Sequence, residues 1–86
     1  MGANETAREE IVAAVEQIFD ELAVLQRKKV YQAALRINPR LTEDDITQPH
    51  DYPELATNAE WNYEDGVLAG YLAAQMAVRA RLRRTS

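Results

Sequence analysis

Eighty-six residues with 47% apolar and 28% charged side chains make one domain at most, and they exclude a disordered chain. The chain has no cysteine, which removes disulfides and thiolate metal sites. A net charge of −4 argues against nucleic acid as the main partner.

Alanine is abundant, and there are only three glycines and three prolines. This composition favours an all-α fold. The opening "MGANETAREE" has no apolar core of the kind a signal peptide needs, and Met-Gly with Thr6 is only a formal match to an acylation motif. The longest uncharged apolar run, residues 66 to 78, is too short to span a bilayer. The expectation is a cytoplasmic protein with no membrane partner.

The first helix is expected from Thr6, because "TARE" reads as a capping box with Glu9 three residues on. Pro39 disfavours helical geometry at Asn38 and sets the end near residue 38. Ile11, Val15, Ile18, Leu22 and Leu25 fall on one stripe, widened by Val12, Phe19, Ala23, Val30 and Ile37. Val24, Tyr31 and Leu35 project from the opposite side, so the helix has two apolar sides to cover.

Residues 39–58 read as a connector. Thr42 with Asp45 offers a second capping box, and Pro53 suits the first position of a short helical turn. Leu41, Ile46, Tyr52 and Leu55 are spaced to tuck beneath it as a satellite core.

The second helix is expected over about 59–83, capped by Thr57 or Asn58. Its segment "VLAGYLAAQMAV" has one strongly polar residue, Gln75, and such a helix is expected to be buried all round. Gly66, Gly70, Ala73 and Ala77 form a small-residue side that would admit another helix closely. Trp61, Leu68, Leu72 and Met76 form a bulkier side.

An antiparallel arrangement places Glu5, Glu9, Glu10, Glu16, Asp20 and Glu21 beside Arg79, Arg81, Arg83 and Arg84. Exposed ion pairs of this kind choose orientation more than they stabilise. Two helices cannot bury the second helix on every side. The expected architecture is therefore a helical hairpin that dimerises into a four-helix bundle, with another protein as the alternative cover.

For function, the stretch "ITQPHDYPELATNAEWNYEDG" holds the only histidine, the only tryptophan and two of the four tyrosines. Its carboxylates suggest a divalent-cation site, but the ligand spacing and central glycine of a calcium loop are missing, as is the Glu-x-x-His of a di-iron bundle. Helix capping and loop solvation are the favoured explanation of these carboxylates. His50 has no nucleophile to serve. The aromatics Tyr52, Trp61 and Tyr63, with His50 and Glu54, make the most plausible interaction surface, although Trp61 aligns with Leu68 and Leu72 and so favours the core. The C-terminal arginines lack the interleaved aromatics of a single-strand binder. The residues carry no family motif. The reading is a non-enzymatic interaction or adaptor module without a cofactor. The alternatives are a small-ligand or metal-binding bundle and a nucleic-acid-associated regulator.

Overall fold

The computed structural model describes residues 2–84, and the described residues form helices without a strand. Helix α1 spans Gly2–Ile37, two single 3₁₀ turns cover Asp45–Thr47 and Pro49–Asp51, the one-turn helix α2 covers Pro53–Ala56, and α3 spans Ala59–Arg84. The all-α class follows from the composition.

Helix α1 starts four residues before the expected cap, so Thr6 lies inside the helix rather than at its boundary. No proline interrupts residues 2–37, and Glu5 in the first turn complements the helix dipole. The other end is where Pro39 puts it. Asn38 donates its N–H to Ala34 O at 2.9 Å, and its side-chain Oδ1 accepts the Arg40 N–H at 3.0 Å.

The connector folds by local hydrogen bonding. Thr42 N–H donates to Asp45 Oδ2 at 2.9 Å and Asp45 N–H donates to Thr42 Oγ1 at 3.3 Å, the reciprocal pair the sequence suggests. Pro53 stands at the start of α2. Asn58, not Thr57, caps α3, its Oδ1 accepting the Trp61 N–H at 2.9 Å. The Thr57 hydroxyl instead donates to Pro53 O at 2.8 Å.

Helix α3 runs back along α1. Arg36 pairs with Glu60, the Gln26 side chain donates to Glu64 O and Oε1 at 2.8 and 2.9 Å, Gln75 donates to Asp20 Oδ1 at 3.0 Å, and Arg79 pairs with Glu16 at 2.6 Å. The positions ascend in α1 as they descend in α3, so the two helices are antiparallel.

The large buried side chains cluster at the connector end. Val30, Ala33 and Ala34 of α1 meet Leu41, Leu55 and Trp61, with Ile37, Ile46, Tyr52 and Leu68 packed around them. Leu41 and Leu55 were expected in a satellite beneath the loop, but they belong to the main core.

The buried side of α1 is rotated from the centre of the expected stripe toward its wider part. Val12, Phe19 and Leu22 are half-buried and Ala23, Gln26, Val30, Ala33 and Ala34 are buried, whereas Ile11, Ile18 and Leu25 are 63, 55 and 58% exposed. Two physical features explain the rotation. Alanines at 23, 33 and 34 let α3 approach closely, and Gln26 and Gln75, buried but hydrogen-bonded, cost little where they sit.

The second apolar side of α1 is covered in part by the chain itself. Tyr31 and Leu35 are half-buried, and the Tyr31 hydroxyl donates to Leu41 O at 3.3 Å, while Val24 stays exposed. Within one chain α3 is not enclosed: of its described residues only Trp61 and Gln75 are buried. Gly66 and Gly70 are exposed, and a methyl group added at either would meet nothing within 4 Å. The small-residue side therefore points away from α1, because Trp61, Glu64, Leu68 and Gln75 claim the opposite side of the helix.

The molecule is a rod of 55 × 19 × 18 Å with a radius of gyration of 17.1 Å. A compact chain of this length would have a radius near ~12 Å.

Candidate functional site

The aromatic and acidic residues singled out in the sequence do not converge. Trp61 is buried among Val30, Ala33, Ala34, Leu41 and Leu55. Tyr63, two residues on along α3, is 69% exposed. Consecutive helical positions differ by about 100°, so residues two apart face nearly opposite ways. Tyr52 is half-buried against the core, and its hydroxyl donates to Asp45 Oδ1 at 2.9 Å. His50 Nε2 lies 3.4 Å from Asp51 Oδ1, with the histidine side chain 78% exposed. Glu54 is exposed. Among the described residues, no three histidine, aspartate or glutamate side chains come together as a metal site.

The polar chemistry of the connector is structural. Asp45 accepts the Thr42 N–H and then the Tyr52 hydroxyl, and these bonds hold its carboxyl below the usual carboxylate range. Tyr52 is pushed up in turn, chiefly by donating to that carboxylate. At the far end, the Arg79 guanidinium hydrogen-bonded to Glu16 lowers that carboxyl as well.

Two surface features remain with physical content. The first is the apolar edge Ile11, Ile18 and Leu25, seven residues apart along α1, the spacing of a coiled-coil seam. The second is a half-open cleft of about 580 Å³ where α1, the connector and α3 meet. Val24, Val30 and Tyr31 of α1, Ile46 of the connector and Leu68 of α3 form its apolar walls, with Asp65 set among them. Burial pushes the Asp65 carboxyl above its ordinary value, and among the described residues no hydrogen bond or ion pair joins it. Arg27 and Lys28 on α1 and Glu43 and Asp44 on the connector are exposed and line the same cleft.

Sequence reasoning placed Trp61 correctly in line with Leu68, and it missed the cleft. Asp65 was visible only as one of several acidic residues near a helix start. What sets it apart is its position seven residues before Leu72 and three before Leu68, on the side of α3 that turns inward. No described helix is long and apolar enough to cross a membrane. Compared with family models, curated proteins and solved structures, the chain matches none.

Proposed function

We infer that this chain is a non-enzymatic interaction module that acts as a homodimer, two helical hairpins closing into a four-helix bundle through the Ile11–Ile18–Leu25 edge. The carrying observation is the large accessible surface of so thin a molecule, on which Ile11, Ile18 and Leu25 stand exposed. Its accessible area is 6312 Å². A compact protein of 9.7 kDa would expose about 5,100 Å². The excess of roughly 1,200 Å² exceeds the ~800 Å² per partner of a standard interface.

Helical register supports the choice of edge. The pairs Gln26–Glu64 and Gln75–Asp20 fix which side of α3 faces α1. At about 100° per residue, Val67, Tyr71, Ala74 and Val78 then lie on the same side of the pair as Ile11, Ile18 and Leu25. Val15 and Leu22, half-buried, bridge the two rows. A second copy related by a two-fold axis covers such a surface with its own equivalent, which closes the assembly. Burying each Leu-sized side chain contributes roughly 1.5–3 kcal/mol.

Native mass spectrometry and sedimentation equilibrium test the reading. The expected species has twice the 9.7 kDa chain mass. An Ile18→Glu/Leu25→Glu variant is expected to be monomeric. A wild-type chain that stays monomeric at high micromolar concentration would overturn the dimer, and with it the bundle.

A further inference from the structure

The cleft at the junction of α1, the connector and α3 lies about a third of a turn around α1 from the proposed dimer edge, as Val24 and Tyr31 do from Ile18. The dimer therefore leaves it open. Its size falls within the ~300–1,000 Å³ of small-molecule sites, and its lining combines five apolar or aromatic side chains with seven polar or charged ones.

The charges differ in burial. Asp65 is partly buried, while Arg27, Lys28, Glu43 and Asp44 are exposed. A partly buried carboxylate without a cation or donor is an unfavourable arrangement that a bound cation relieves. Tyr31 of α1, across from Asp65, brings an aromatic ring to the same cleft. Val24, Val30, Ile46 and Leu68 supply apolar wall for the body of such an ion.

We propose that this cleft binds a small organic ammonium ion with an apolar body, Asp65 being the counter-ion. Arg27 is the one guanidinium lining the cleft with Asp65. As a second positive charge in the cleft it disfavours a bound cation and tunes the affinity without being part of the binding contact.

The test is a titration of the full chain with 3-phenylpropylammonium, followed by the ¹H–¹⁵N shifts of assigned backbone amides. Neutral 3-phenylpropanol and anionic 3-phenylpropionate serve as matched probes. The ammonium ion is expected to bind in the millimolar range or tighter, as about ten heavy atoms permit. It should move amides around Val24, Tyr31, Ile46 and Leu68. A charge-assisted hydrogen bond is worth about a tenfold factor or more, so the alcohol should bind at least tenfold more weakly. Asp65→Asn should lose the same factor while keeping the wild-type spectrum elsewhere, because the carboxylate has no partner to lose. Arg27→Gln should tighten the ammonium ion. Glu9→Gln, an equal change of net charge far along α1, should leave binding unaltered. The proposal is overturned if Asp65→Asn binds as wild type does, or if no probe binds by about 10 mM. It is overturned equally if the shifts fall at Ile11 and Ile18. Preferential binding of the carboxylate probe, weakened by Arg27→Gln, would assign the cleft to anions instead.

Discussion

The two ends of this rod are held by different physics. At the connector end, Leu41, Leu55 and Trp61 are nearly inaccessible, and three helical segments and a loop converge on them. At the open end, where α1 begins and α3 finishes, the helices are joined by polar side chains. Arg79 grips Glu16, the Arg8 guanidinium donates to Leu82 O at 2.9 Å, and apolar residues such as Ile11 face solvent. Burial is cooperative and hard to lose in pieces, whereas exposed ion pairs orient but stabilise weakly. The contrast places the buried core at one end and leaves the other held by polar side chains.

The comparison breaks most visibly at the connector. Leu55→Ala empties a fully buried position and is expected to cost about 2–5 kcal/mol. Urea titration followed by circular dichroism checks it. A loss below about 1 kcal/mol would show that the connector core is not the stabilising centre.

Next in size is Ile18→Glu alone. It is expected to weaken self-association by about tenfold or more, from the loss of one buried Leu-sized side chain per protomer. The melting temperature of dilute, already dissociated protein should barely move. If the dilute protein is destabilised as much as by Leu55→Ala, Ile18 packs within the chain.

Gly70→Ala sharpens the same distinction on α3. The added methyl meets nothing within 4 Å, and alanine is favoured over glycine in a helix interior. The expected outcome is a gain of up to about 1 kcal/mol with the dimer retained. Loss of the dimer in this variant would move the seam to the side carrying Gly66, Ala73 and Ala77.

The smallest effects concern protons, and here two aspartates oppose each other. Asp45 has a lowered folded pKa, so its stabilising contribution is present above its unfolded value of 3.8 and is lost as pH falls through the folded value. Asp65 has a raised folded pKa, so ionising it in the folded chain is unfavourable, and that penalty disappears as pH falls from the folded value toward 3.8. Asp65→Asn is expected to raise the melting temperature at pH 7 by the equivalent of less than about 1 kcal/mol, since solvent still reaches the group. Asp45→Asn should lower it at pH 7, and the difference from wild type should shrink as pH falls below 3.8. Differential scanning calorimetry between pH 3 and 7 reads both signs.

What the sequence makes legible is mostly local. Thr42 with Asp45, Pro53 and Asn58 announce their turns because the bonds that fix them span three or four residues. Trp61 is legible as core because it lines up with Leu68 on one helix face. The buried side of α1 is only partly legible: Val12, Phe19, Leu22, Ala23, Val30 and Ile37 belong to the expected stripe, but hydropathy favours Ile11, Ile18 and Leu25 over Gln26 and Ala33. Close approach by small residues and a glutamine bonded to Glu64 are tertiary facts, invisible until α3 is in place. The cleft is hidden for the same reason, since its walls come from segments some forty residues apart in the chain.

Trp61 is the one tryptophan of the chain, it is 3% exposed, and its indole N–H is buried without a hydrogen-bond acceptor among the described residues. Its fluorescence is therefore a reporter with a restricted field of view. Emission should be short in wavelength while the connector end is closed and should shift red when water enters there. It is blind to fraying around Ile11 and Arg79, some 30 Å away at about 1.5 Å per residue. Far-ultraviolet dichroism, by contrast, weighs both helices along their whole length. Unfolding curves from the two signals, laid over each other, measure how tightly the ends are coupled: coincidence means that the rod melts as one unit, and a dichroism curve that falls first means that the helices unzip from the open end.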